Sequence, residues 1–162
     1  MALLRRRWKT AMLVACVLAI VIVAARTRIH FGYFDDDKAA AVLAESRFVE
    51  QYNAQHFGEI FDGATDGFKT GVSREQLVAM LKYGFDLYGP LMGDEGAATT
   101  CFPEQVRMVR WFKSSKGSDL TVKLIWHVPD GKHARLAWLN LETGHAAFDP
   151  EIVKAHACGS RP

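Results

Sequence analysis

Side chains able to do chemistry are few and scattered in this chain. Cysteine stands at Cys16, Cys101 and Cys158, and the six histidines show no pair at ligand spacing. Leu13-Val14-Ala15-Cys16 spells a lipobox, but a further apolar stretch follows Cys16, whereas a lipidated cysteine would end such a run. Cys16 therefore reads as a small apolar side chain. Cys101 and Cys158 form the pair that lies outside that run, and an even pair in an exported domain reads as a disulfide. Two free buried thiols are one alternative. A metal site that adds His156 is another, although a single His-x-Cys pair lacks zinc-finger spacing. The sequence holds no Gly-rich phosphate loop, no Gly-x-Ser-x-Gly elbow and no His-Glu-x-x-His helix. The expectation is no catalytic set, no cofactor and no metal.

Charge narrows the class further. Of the 20 Lys and Arg, six (Arg5, Arg6, Arg7, Lys9, Arg26, Arg28) precede residue 29, where no acid occurs. The other 14 face 18 acids, so the body carries about −4 against +2 for the whole chain. A nucleic-acid binder needs the opposite balance, so no nucleic-acid partner is expected.

The cluster Arg5, Arg6, Arg7 and Lys9 precedes an apolar run from Thr10 to Ala25. As a helix these residues would extend roughly 24 Å, close to a hydrocarbon core of about 30 Å. Arg26 and Arg28 can snorkel to the headgroups. The heavier positive charge on the N-terminal side keeps that end cytoplasmic and exports the body. Residues 1–28 read as a single-pass signal anchor in the cell membrane, contacting lipid through 10–25. A cleaved signal peptide is the alternative, since Val23-Ala24-Ala25 suits signal peptidase. The body is then extracytoplasmic, and periplasmic in a bacterium.

Residues 29–35 read as a linker, 36–158 as the folded domain and 159–162 as a tail. Asp35-Asp36-Asp37 offers a cap and first-turn carboxylates for a helix running to about Asn53, with Ala41, Ala44, Phe48 and Tyr52 on one face. Gly58 is expected to break it. Ile60, Phe61, Ala64 and Phe68 mark a second, shorter helix. Ser73-Arg74-Glu75-Gln76 is a capping box. Leu77, Met80, Leu81, Gly84 and Tyr88 follow at helical spacing until Gly89-Pro90. Strands are expected over 105–113, around Leu120 to Val128 and over 133–142, with a weaker one at 97–102. Three helices and then an antiparallel meander predict an α+β layer fold.

The segments Phe48-Val49, Phe57-Gly58-Glu59-Ile60-Phe61, Phe68-Lys69, Ser73 to Leu77 and Gly89-Pro90-Leu91 resemble the start of small exported cystatin-like domains of the nuclear-transport-factor-2-like superfamily. The resemblance covers about residues 36 to 142 and implies three helices on a curved antiparallel sheet, forming a cone. In that fold the last strand carries an aromatic-Lys-apolar signature, and Ala146-Ala147-Phe148-Asp149-Pro150 stands in its place here. Size, anchor and sheet-rich body are also similar to small membrane-anchored assembly factors of respiratory complexes. The superfamily contains isomerase-like enzymes that hold a carboxylate or histidine, with hydroxyl donors, in the cone. This implies Tyr83, Asp86 and Tyr88 as cavity candidates.

Both faces of the expected sheet carry apolar bulk. Leu120, Val122, Leu124 and Trp126 line one face of the central strand, with His127 opposite. On neighbouring strands Val109, Trp111, Leu136 and Trp138 alternate with Arg107, Arg110 and Arg135. Helices cover only one face, so the other is expected to take a partner around Trp111 and Trp138. That partner would be a second copy or a membrane protein, unless the C-terminal tail covers the face. The expected function is a membrane-anchored, non-enzymatic binding or assembly module. The alternative is a small hydrophobic-ligand protein or isomerase-like enzyme.

Overall fold

The computed structural model describes residues 16–19, 34–145 and 158, with only the backbone at 94–97. The chain divides into two units, Met1–Phe31 and Gly32–Pro162. In the first, residues 16–19 are helical, and the rest of the expected membrane segment 10–25 lies outside the described residues. So do residues 29–33, Ala146 to Pro150, and the tail 159–162. Among the described residues no helix is long and apolar enough to cross a membrane.

The second unit is α+β. Its helices are α1 (Asp35–Asn53), α2 (Phe57–Asp62), α3 (Asp66–Gly71) and α4 (Arg74–Tyr88). The three expected helices are four, because the second divides. Thr65 caps α3 by accepting from the Phe68 N–H. The break is pinned to the sheet: Thr65 N–H donates to the Leu136 carbonyl at 2.8 Å, and Arg135 donates to the Ala64 carbonyl at 2.7 Å. The first helix ends at Asn53 as expected, but its N-cap and its closing residue differ. Phe34, not an aspartate, occupies its N-cap, and Asp35, Asp36 and Asp37 fill the first turn, where their charge meets the positive end of the dipole. Asp37 turns inward and is only 1% exposed. Gly58 does not end α1. Gln55 does, at φ 60, with Gln55 N–H donating to Tyr52 O and His56 N–H to Gln51 O. This is a Schellman closure with glutamine in the place usually held by glycine. Helix α4 starts on the complete Ser73/Gln76 capping box and ends at Gly89, φ 77. A Cβ at Gly89 would collide with the Ser115 hydroxyl.

Strands β1 (Leu91–Phe102), β2 (Gln105–Ser114), β3 (Asp119–His127) and β4 (Arg135–Thr143) form one antiparallel sheet in the order β1-β2-β3-β4. The sheet curls into a half-barrel compatible with a cone. The expected weak strand at 97–102 is the end of a much longer β1, whose register shifts at Met92/Asp94 and Asp94/Ala97. Val106, Met108, Phe112, Leu120, Val122 and Leu124 alternate inward. They meet Ala41, Phe48 and Tyr52 of α1 and Leu77 and Leu81 of α4 in one core. Met80, grouped in sequence with the buried face of α4, is exposed.

Two expectations about side-chain direction are corrected. Arg107 does not alternate with Val109 and Trp111, whereas Arg110 does. Arg110 points inward from β2, and Arg107 shares the face of Val109 and Trp111, as the period of two requires. Leu136 also points inward, opposite Trp126, while Trp138 points outward, opposite Ile125. A register shift beside Ile125/Trp126 leaves Ala137 unpaired between them. This is a β-bulge, and it reverses the face on which the next residue lies.

Inside the core, Arg110 Nε donates to Glu45 Oε1 at 2.5 Å and its NH2 group to Glu45 Oε2 at 2.9 Å. Both side chains are buried. Arg110 also reaches the Thr99 hydroxyl. At the last residue of α1, the Asn53 amide donates to Leu91 O at 3.0 Å and accepts from Leu91 N–H at 2.8 Å. Helix α1 is thus tied by polar contacts to both β2 and β1.

Removing one member of the buried pair leaves the other charge uncompensated, which costs about 3–5 kcal/mol. Arg110→Met is expected to lower the urea-unfolding free energy by that order. Glu45→Leu combined with Arg110→Met is expected to recover most of the loss. A double variant no more stable than Arg110→Met alone would show that the charge pairing is not what the single variant removes.

Candidate functional site

The cavity candidates do not converge. Tyr83 is 69% exposed. Asp86 pairs with Lys82 at 2.6 Å in solvent. Tyr88 is buried, and its hydroxyl is bonded to the Thr143 hydroxyl on β4. The place between α1, α4 and the sheet where a cone would be hollow is occupied by Tyr52, Leu77, Leu81, Met108, Leu120 and Leu124. Among the described residues, no group of three His, Cys, Asp or Glu is placed to hold a metal ion.

Tyr52 is the polar exception in that interior. Its ring packs on Phe57 and Phe85, and its hydroxyl has no hydrogen-bond partner among the described residues. Gly84 gives it room, since a Cβ there would lie 3.4 Å from the hydroxyl and 3.1 Å from Leu141. Burial, then the charges of Tyr88 and Asp86, push the Tyr52 hydroxyl up to about 12.

Cys101 and Cys158 are joined as a disulfide with Cα atoms 4.9 Å apart. Cys101 is buried on β1, and Cys158 packs half-buried against the core. The bond fixes the chain 57 residues beyond Cys101 to the sheet edge. The close meeting of His133 with a carboxylate is a turn device. Its ring stands 2.5 Å from Asp130, and the N–H groups of Lys132 and His133 donate to the same side chain. The His133 contacts, ring first, and then Lys132 hold the Asp130 carboxyl well below the usual carboxylate range.

The outer face of the sheet is where exposed recognition chemistry gathers. Arg107, Ile125 and Trp138 lie in one cross-strand row over β2, β3 and β4, spanning roughly 10 Å at ordinary strand spacing. Trp138 is 43% exposed. Arg107 stacks over the Phe102 ring at 4.6 Å and donates to Gln105 at 3.1 Å, with no acid partner among the described residues. Trp111 does not join this row. It lies opposite Thr121, four residues along β3 from Ile125, and its ring is stacked on His145 at 4.8 Å. His145 in turn stands 3.1 Å from Asp119. The two expected partner-binding tryptophans therefore share a face but differ: Trp138 is open, and Trp111 is partly covered by the chain leaving β4. Arg107 and Ile125 were not singled out by the sequence as partners of Trp138, although period two places Arg107 outward with Trp111. Compared with known proteins, the chain matches no family model, no curated protein and no solved structure.

Two measurements test the interior and the tie. The folded chain holds the Tyr52 proton more tightly than the unfolded chain, so stability is complete below pH 10 and falls as pH rises toward about 12. Tyr52→Phe is expected to remove up to about 3 kcal/mol of that alkaline loss while leaving stability at pH 7 within about 1 kcal/mol of the parent. Parallel alkaline unfolding curves for the two proteins would contradict it. Reducing the disulfide, or replacing both cysteines by serine, is expected to lower stability by about 4 kcal/mol on the loop-closure scale. An unchanged thermal midpoint after reduction would contradict it.

Proposed function

We propose that this protein is a membrane-anchored, extracytoplasmic binding module without catalytic activity, and that the outer sheet face is its binding surface. The observation that carries the reading is the row Arg107–Ile125–Trp138, an arginine and an exposed tryptophan flanking an aliphatic side chain. Tryptophan and arginine are the residues most often found to dominate binding energy at protein interfaces. The occupant that complements the row is a protein segment presenting a carboxylate to Arg107 beside an apolar side chain on Ile125 and Trp138. The cations before the apolar run 10–25 support the anchor, and the disulfide supports an oxidising compartment. The cystatin-like resemblance is kept as part of this proposal. The isomerase-like alternative gains nothing from Tyr83 and Asp86, which stand in solvent.

A photo-crosslinking side chain placed at position 138 in the membrane-bound protein is expected to capture one discrete partner. The same group at Leu43, exposed on α1, should not capture it, and Arg107→Glu should abolish the capture without shifting the thermal midpoint. Equal capture from positions 138 and 43, or capture indifferent to Arg107→Glu, would refute the reading. Capture of a second copy alone would replace the separate partner by self-association.

A further inference from the structure

On the other side of the sheet, a cleft of about 130 Å³ opens between α1, α2 and the adjoining ends of β3 and β4. Its apolar lining is Phe48, Ile60, Trp126 and Leu136, and its polar lining is Arg47, Gln51 and Glu59. A neighbouring hollow of about 270 Å³ is lined by the same three polar residues together with Glu50, Ala54 and His56.

The polar groups are unequally engaged. Glu59 accepts from Gln51 Nε2 at 3.2 Å and stands 3.4 Å from His56 Nδ1. Arg47 has no hydrogen-bond or ion-pair partner among the described residues. The Trp126 indole N–H is buried and has no acceptor among the described residues. The cleft thus combines an apolar slot with an arginine that has no partner among the described residues. Its complement is a small anion with an apolar body.

Chemistry and size narrow the ligand. A carboxylate is an acceptor only, and its two oxygens match the guanidinium fork. An apolar cavity of about 150 Å³ takes a benzene ring, whereas pockets for drug-sized molecules begin near about 300 Å³. The slot therefore suits a ring or a branched aliphatic group and is too small for a sterol. Glu59, also in the lining, repels a second negative charge. We propose that this cleft binds a small monocarboxylate with a ring-sized apolar group, the apolar group in the slot and the carboxylate on Arg47. This site is separate from the outer face and does not rest on the protein-binding reading.

The test is a titration of the ¹⁵N-labelled full chain, in a mild nonionic detergent, with benzoate. The Trp126 indole N–H resonance, assigned by its loss in Trp126→Phe, is expected to shift saturably. Arg47→Gln, and separately benzyl alcohol in place of benzoate, should each weaken binding roughly tenfold. Benzene-1,4-dicarboxylate should bind more weakly than benzoate. Trp138→Ala should change nothing, which separates failure here from failure of the outer-face reading. Arg47 is exposed, so its replacement leaves the fold intact, as the backbone spectrum will report. The proposal is overturned if benzoate produces no saturable shift of the Trp126 resonance. It is equally overturned if Arg47→Gln and benzyl alcohol bind as tightly as the parent with benzoate.

Discussion

The bidentate pair between Glu45 and Arg110 is the constraint around which the second unit is arranged. A carboxylate and a guanidinium taken out of water are tolerable only if they meet in good geometry, and here they come from residues 65 apart in sequence. Satisfying them fixes both the rotation and the height of α1 over β2. Once Glu45 faces the sheet, Ala41, Phe48 and Tyr52 must face it too, because they lie on the same helical stripe. Asn53 then reaches Leu91 and closes the far end. A purely apolar helix face could slide along the sheet at little cost, whereas this one has a single docking position.

This pair also shows where the sequence stopped being readable. The apolar stripe of α1, the capping box of α4 and the alternation along β3 are local patterns of fixed period, and each has its expected structure. Glu45 and Arg110 each break such a pattern, since each is a charged residue on an inward position. Seen alone, each looks like a solvated surface residue, and only the three-dimensional pairing makes them compatible with the core. The end of α1 at Asn53 is as expected, but the residue that closes it is not. Glycine is the usual left-handed closure, so Gly58 attracted attention, but Gln55 adopts that conformation three residues earlier.

The outer face was legible as a surface but not as a row. Trp111 and Trp138 are both outward, yet nothing in their types shows that His145 stacks on one and leaves the other open. The cover arises from the sharp turn after β4, where the Gly144 N–H donates to Asp119 O and the Thr121 hydroxyl bonds to Gly144 O. These contacts bring His145 back over β2. Register then supplies what composition could not: it puts Arg107 and Ile125, rather than Trp111, beside Trp138.

One irregularity underlies both candidate surfaces. Strict alternation would send Leu136 and Trp138 to the same side of the sheet. With Ala137 bulged out of register, Leu136 pairs with Trp126 and lines the cleft, while Trp138 pairs with Ile125 and joins Arg107 outside. The Leu136 carbonyl, beside the bulge, also anchors the Thr65 N–H that splits α2 from α3, so α2 is positioned by the same stretch of β4 that contributes Leu136 to the cleft. Without the bulge, a tryptophan would be driven into a core already filled, or a leucine turned out into solvent. A single extra residue thus lets one edge strand serve an apolar cleft on its inner side and an aromatic binding row on its outer side.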